Sequence, residues 1–330
     1  MKIVIAADKF KQSLSSVDVC RAIREGLLLA SPAFDITSLP LSDGGDGLAE
    51  ILAFYSPFEK VTETVCDPLW RPVKATWLYA ENERLAFIEM AQASGLHLLQ
   101  PSEYNCAATT TYGTGQLIKK ALEKGARKII IGIGGSATND AGIGMAAALG
   151  YRFLDAKGNE VQPVGGSLVL IEHIDSTAKI PLDGVTVQVA CDVTNYLTGE
   201  NGASKIYAPQ KGASPLVVEE MEKGMQHFAA VVRKQYGKEI ESIEGGGAAG
   251  GMGAGCVLFL GAGIVRGSAI AFHYSKAEQH IKNADVVITG EGRIDSQTWN
   301  GKLVDAVINL CQKHHKPVIA LCGTLALSAE

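Results

Sequence analysis

The sequence lacks a surplus of either charge: 30 Lys and Arg stand against 35 Asp and Glu, a formal net charge of −5. That excludes the basic footprint of a nucleic-acid binder, so no nucleic-acid partner is expected. A hydrophobic content of 47% excludes a disordered chain, which cannot bury enough apolar surface to fold. Cysteine pairs are missing as well. The seven cysteines, at 20, 66, 106, 191, 256, 311 and 322, are scattered, with no CxxC and no Cys/His cluster at zinc spacing. They read as buried thiols in a reducing cytoplasm. No leader of the secretory kind is expected, because the apolar run at residues 3–7 falls short of the ~7–15 residues such a segment needs. The uncharged stretch 248–265 approaches the ~20 residues that cross a bilayer. Six of its eighteen residues are Gly, so a buried Gly-rich helix or loop is expected and no membrane partner.

Several signatures are also absent. No Gly-Lys-Ser/Thr completes a Walker A loop, and protein-kinase and HExxH patterns do not occur. Residues 245–250 satisfy GxGxxG, but no apolar strand leads into them and no acid follows ~20 residues on, which argues against a Rossmann dinucleotide site. None of the seven His stands at metal-ligand spacing, and His314-His315 reads as a helix end before Pro317.

Glycine, in contrast, is plentiful: 37 of 330 residues, about 11% against an average near 7%. The glycines cluster at 43–47, 132–150, 245–255 and 290–292, as expected of several loops lined by backbone. Between them run apolar segments. Residues 2–6 read as a strand, and Ser15-x-x-Asp18 as a capping box opening a helix with apolar positions Val19, Ala22, Ile23, Leu27 and Ala30. Residues 34–39, 284–289 and 317–322 read as further buried strands, which with helical intervals indicates parallel βαβ units. Residues 61–91 hold three strand-like runs with no room for a crossover helix, so antiparallel pairing is expected there. A helix is expected at 114–122, a strand at 128–133, a helix at 138–149 and a strand at 185–191. The fold class expected is α/β, with a parallel-sheet domain formed by 1–60 and 251–330 and a mixed-sheet domain, 61–250, inserted in it.

Five loops could carry chemistry. Gly134-Gly135-Ser136-Ala137-Thr138-Asn139-Asp140 joins a strand to a helix, where free N–H groups and the helix dipole suit an anion; a plain turn with Thr138 or Asn139 as cap fits equally. Asp43 and Asp46, separated by glycines, could hold Mg²⁺ or simply shape a turn. Asp192 and Asn195 end a strand, with Lys211 following; Asp192 could accept a proton or cap a helix. Glu291, Arg293 and Asp295 lie beside glycines after an apolar strand, with Lys302 further on, more polar groups than a turn requires. Asp8, Lys11 and Ser13 precede a helix, where Lys11 and Ser13 could meet a carboxylate or phosphate. Lys9 reads as solvated.

Seven stretches together resemble the type I glycerate kinase family: AADKFKQSLSS (from Ala6), PLSDGGDG (from Pro40), TYGTGQLI (from Thr111), GIGGSATNDAGIGMAAALG (from Gly132), ACDVTN with NGA and PQKGA (from Ala190), GGGAAGGMGAG (from Gly245) and ITGEGRIDSQTWNGK (from Ile288). They run in family order along the whole chain. Ala7, Lys9, Gln12, Leu48 and Ala141 depart from the usual Pro, Ser, Gly, Thr and Gly. Similar proteins continue for several elements beyond the position of Glu330, so a shortened C-terminus is expected. The resemblance implies ATP-dependent, Mg²⁺-assisted phosphorylation of D-glycerate, usually at the 2-hydroxyl to give 2-phosphoglycerate, in a two-domain α/β fold whose first domain is flavodoxin-like. Glycerate and ATP are the implied partners, and a homodimer is compatible with it.

Phosphoryl transfer needs a phosphate cradle, a metal, cations and a carboxylate near the hydroxyl. The expected assignment is Asp192 as base, Lys11 and Arg293 on the substrate carboxylate, Asp295 as an alternative base, and Asp43 and Asp46 at the metal. Asp8, Ser13, Gly134, Gly135, Ser136, Thr138, Asn139, Asn195, Lys211, Glu291 and Lys302 are the expected phosphate and substrate contacts. A sensor that only binds such ligands, or a kinase for a related hydroxy acid, uses the same residue types. A flavin or nicotinamide protein would rest on fold analogy alone.

Overall fold

The computed structural model describes residues 1–10, 13–44, 47–295, 298 and 303–326. Lys11, Asp46 and Lys302 of the expected site therefore lie outside the described residues. In chain order the chain forms β1 (Lys2–Ala7), α1 (Ser16–Ala30), β2 (Asp35–Pro40), α2 (Leu48–Tyr55), β3 (Glu59–Cys66), β4 (Pro72–Ala80) and β5 (Leu85–Glu89). Next come α3 (Ala91–Ser94), α4 (Tyr112–Glu123), β6 (Lys128–Gly132), α5 (Ile143–Ala148), β7 (Arg152–Leu154), β8 (His173–Asp175), β9 (Thr186–Ala190), α6 (Ala203–Tyr207) and α7 (Pro215–Tyr236). The last are α8 (Ala248–Leu260), β10 (Gly263–Val265), α9 (Gly267–Ser275), α10 (Ala277–Lys282), β11 (Val286–Ile294), α11 (Leu303–Lys313) and β12 (Val318–Leu325). They divide into two compact units, Met1–Pro57 with Arg266–Glu330, and Phe58–Val265.

The first unit holds a parallel sheet in the order β12-β11-β1-β2. Counted within the unit, that order is 2-1-3-4 read from the β2 edge, the flavodoxin-like arrangement. The strand order reverses between β1 and β11, and such a switch point opens a crevice at the carboxyl ends of the strands. Helix α1 starts where its sequence says it should. The Ser15 hydroxyl accepts the Asp18 N–H at 3.1 Å and donates to the Asp18 carboxylate at 2.7 Å. The apolar face of α1, Val19 and Cys20 with Ile23 and Leu27, packs on Ile5 and Ala7 of β1. Strands β11 and β12 run further than their apolar composition suggests. Glu291 and Arg293 pair with Cys322 and Thr324, because the neighbouring strand supplies hydrogen bonds that local sequence does not reveal.

The second unit holds a mixed sheet in the order β10-β9-β6-β5-β4-β3. Strands β3, β4 and β5 are antiparallel, as the missing crossovers require, and β5, β6, β9 and β10 are parallel. Helix α7 is bounded by its sequence: Ser214 caps the start, Pro215 follows, and Gly237 ends it in a left-handed conformation. Helix α5 is shorter than the expected 138–149, because Ala141 and Gly142 take left-handed backbone angles, φ 51° and 74°, and postpone the first turn. The Gly-rich segment forms the mostly buried α8, left-handed at Ala249, Gly250 and Gly251, and then β10, and no helix among the described residues is long and apolar enough to cross a membrane. Gly250 is required there, since a Cβ would stand 2.1 Å from the Thr138 carbonyl oxygen.

Candidate active site

In the first unit the carboxyl ends of β1, β2 and β11 bring together acids from distant parts of the chain. Asp8 follows β1 and is only 6% exposed. Its N–H donates to the Gly290 carbonyl at 2.9 Å, and its carboxylate accepts the Lys9 N–H at 2.7 Å. Burial raises the Asp8 carboxyl to about 7; the charges of Asp43 and Glu291 add to the rise, and Lys9 opposes it. Asp8, Asp43 and Glu291 are thus electrostatic neighbours. A further chain of contacts leads away from Glu291. The Thr298 hydroxyl donates to the Glu291 carboxylate at 2.8 Å and accepts the Asp295 N–H at 3.1 Å, while Arg293 Nε donates to Asp295 Oδ2 at 3.1 Å. Arg293 and Asp295 are thus paired, with the Arg293 side chain 64% exposed. Ser13 stands exposed in a turn whose N–H donates to Phe10. Ser16, which sequence reasoning passed over, is the bridge at this edge: its hydroxyl donates to Ala7 and accepts the Leu41 N–H, each at 2.8 Å.

In the second unit β6 and β9 are parallel neighbours with Gly132 opposite Ala190. The 134–140 loop and Asp192 therefore leave adjacent strands at the same edge of the sheet. The tip of the loop is Gly134-Gly135, both exposed, while residues 136–140 are buried. Asp140 is the anchor. Its carboxylate accepts the Thr111 N–H and hydroxyl, both at 2.8 Å, and the N–H groups of Gly142 and Gly144 at 3.1 and 3.3 Å. Burial pushes this carboxyl upward against those four donors. Ile143 N–H goes to the Asp140 carbonyl and Met145 N–H to the Thr111 hydroxyl. The N-terminal donors of α5 are consequently spent inside the protein, whereas the N–H groups of Gly134 and Gly135 donate to nothing among the described residues. Thr138 Oγ1 and Asn139 Oδ1 are buried without a partner among the described residues.

Lys211, 2% exposed, holds this loop from beneath. Its ammonium donates to Ser136 Oγ and to the Thr138 carbonyl, each at 2.7 Å. Burial lowers it to about 8, with Cys106 and Asp140 pulling the other way. Nothing in the polar stretch PQKGA signals that burial. Helix α6 ties the remaining pieces: Ser204 accepts from Asn139 Nδ2 at 3.1 Å, and the Tyr207 hydroxyl donates to Asn195 Oδ1 at 2.6 Å. Asn195 Nδ2 donates to Asn201, so both ends of that amide are engaged. Asp192 is half-buried beside Cys191, whose thiol burial pushes up to about 11 with Asp192 adding to the rise. Thr111 and Asp140 lie within the TYGTGQLI and GIGGSATNDAGIGMAAALG stretches but carry no signal of their mutual contact, which joins residues 29 positions apart.

The glycerate kinase family model matches residues 3–330. Over 326 residues the chain is 46% identical to the glycerate 2-kinase of Escherichia coli K12, covering 98% of this chain and 86% of that protein. Identity to the glycerate kinase of Bacillus subtilis 168 is 43% over 327 residues, 99% of this chain and 86% of that one. A solved chain from Salmonella typhimurium LT2, assigned as a glycerate kinase 2, superposes with a TM-score of 0.90 at 43% identity, covering 98% of this chain and 87% of its own. With a family match along almost its whole length and relatives above 40% identity, this chain belongs to the glycerate kinase family.

Proposed function

We propose that this protein transfers the γ-phosphate of ATP to the 2-hydroxyl of D-glycerate. The observation that carries the reading is the exposed Gly134-Gly135 tip at the carboxyl end of β6, with N–H groups that no described residue uses. Backbone donors presented this way suit phosphate oxygens. The shape of the tip is maintained by Asp140 and Lys211 rather than by the dipole of α5. The 2-position follows the E. coli glycerate 2-kinase, to which the chain is 46% identical.

In the first unit the donor set at Asp8, Asp43 and Glu291 is oxygen only, which suits Mg²⁺. Among the described residues no three side chains are arranged to hold a metal directly, so the fit is through the waters that Mg²⁺ retains. The raised Asp8 carboxyl is what burial beside like charges produces. When bound, Mg²⁺ supplies charge neutralisation for the transferring phosphate. Asp46 remains assigned with this group, outside the described residues. Arg293 and Lys11 are assigned to the substrate carboxylate, and Asp192 to the hydroxyl proton. The two compact units are taken as domains with these separate duties, and the free thiols at all seven cysteines support a reducing, cytoplasmic setting.

The test is incubation of the purified protein with ATP, Mg²⁺ and D-glycerate, following ADP and identifying the product by phosphorus NMR. Glycerate-dependent ADP with 2-phosphoglycerate as product is expected. No glycerate-dependent ADP refutes the activity, and 3-phosphoglycerate refutes the position.

A further inference from the structure

The second unit carries a cavity of about 140 Å³ that none of the loops above uses. It lies where two helices end. Tyr236 is the last residue of α7, with Lys238 beyond the Gly237 cap, and Leu258 and Phe259 belong to the last turn of α8. Tyr151 forms a wall, its hydroxyl already donated to the Phe259 carbonyl at 3.3 Å and its ring 5.0 Å from that of Phe259. Ser176 and Lys179 complete the lining.

Charge decides what this cavity accepts. Two helix C-termini bring roughly −0.5 each, about one negative charge together. Lys179 and Lys238 bring two positive charges and form no ion pair among the described residues. The acids closest in sequence are occupied: Asp175 is paired with Arg152, and Glu239 and Glu241 with Arg233. The balance is positive by about one charge.

Hydrogen bonding points the same way. The Tyr236 hydroxyl is buried without a partner among the described residues, and Ser176 lies beside it without closing a hydrogen bond of good geometry. Burial raises the Tyr236 phenol, Ser176 partly opposes the rise and the charge of Asp175 adds to it, so the group stays a neutral donor. A buried donor left unmet forfeits its hydration, a loss that an oxyanion acceptor makes good. Two ammonium groups and two hydroxyls over an apolar floor of Leu258 and Phe259 match a tetrahedral oxyanion with a short carbon body. The volume of about 140 Å³ is close to the ~150 Å³ that holds benzene and accommodates a phosphate with a few carbon atoms.

We propose that this cavity is a second anion site, binding inorganic phosphate or the phosphate monoester of a short-chain alcohol, separate from the 134–140 loop. The site is set apart from that loop along α8: Gly250, in a left-handed kink of α8, packs on Thr138, and Phe259 lies at the far end of the regular helix that follows, about 10 Å of helix from Met252.

Equilibrium dialysis with radiolabelled orthophosphate, repeated with glycerol phosphate as competitor, tests the proposal on the whole chain. The comparison is wild type, the Lys179→Gln/Lys238→Gln double variant and Tyr236→Phe. The double variant should keep its circular dichroism and lose one bound phosphate per chain, whatever the 134–140 loop binds. Tyr236→Phe should weaken that same binding about 10-fold or more, the worth of one hydrogen bond to a charged group. Tighter competition by glycerol phosphate identifies the monoester as the preferred ligand; equal or weaker competition identifies inorganic phosphate. Identical phosphate stoichiometry and affinity in wild type and double variant overturn the site, as does the absence of millimolar binding in wild type.

Discussion

Lys211→Met removes an ammonium that is buried against Ser136 Oγ and the Thr138 carbonyl. Near pH 7 the loss leaves both groups unmet in the interior, a cost of ~1–3 kcal/mol. The wild-type lysine is itself held at a cost, because burial lowers it from 10.5 to about 8, equivalent to ~3 kcal/mol against the charged form. Between those two values the unfolded chain binds a proton that the folded chain does not, so this contribution to stability rises with pH. It is complete above the unfolded value and lost as pH falls through about 8. Methionine has no such dependence. Urea unfolding of both proteins at pH 7 and pH 10 should show the wild-type advantage growing by roughly 2–3 kcal/mol; subtracting one protein from the other cancels titrations they share, and Cys106 and Asp140 are the ionisable neighbours to control for. The variant should also raise the KM for ATP at least ~10-fold, since a displaced tip forfeits about 1.4 kcal/mol or more of binding. A constant stability difference across that pH range, with unchanged KM, refutes the account of Lys211 as the support of the loop.

Asp192→Asn should fold and bind ATP yet turn over ~100-fold more slowly, the lower range for loss of a general base; near-normal kcat in stopped-time ADP assays moves the role to Asp295. Arg293→Lys keeps charge but loses the fork that grips a carboxylate, so the KM for glycerate should rise, and an unchanged KM removes Arg293 from the substrate. Asp8 sits at about 7 in the folded chain against an ordinary value of 3.8, so its contribution is present below the lower value and lost as pH rises through the higher. Asp8→Asn should therefore melt higher than wild type at pH 8 without divalent cation, and Mg²⁺ should narrow the gap; a lower melting point at pH 8 contradicts this. Ala141→Gly should be nearly neutral in urea unfolding: relief of left-handed strain, ~1–2 kcal/mol, offsets the greater freedom of the unfolded chain, ~0.4–1 kcal/mol, and the loss of a buried methyl, ~0.8 kcal/mol. A loss above ~2 kcal/mol shows that the methyl matters more than the φ of 51°.

Much of the architecture was legible because it is enforced locally. Apolar runs of strand length marked β1, β2, β6 and β9, the Ser15 hydroxyl marked the start of α1, and the absence of room for a crossover made β3, β4 and β5 antiparallel. The glycine clusters likewise announced loops and a close helix approach, which Gly250 provides. What the tertiary structure alone decided is which polar residues are inside. Glu291 and Arg293 lie in a strand because β12 runs beside them, a pairing no window around residue 291 contains. Asp140 and Lys211 have the composition of solvent-exposed turn residues, yet they become the buried frame of the loop because Thr111 and Ser136 arrive from elsewhere in the chain. The acids at 8, 43 and 291 meet only when three strands align their carboxyl ends. Periodicity and capping act over a few residues and can be read along the chain. Burial of charge is set by partners far away in sequence, and its sign and size exist only once the chain has folded.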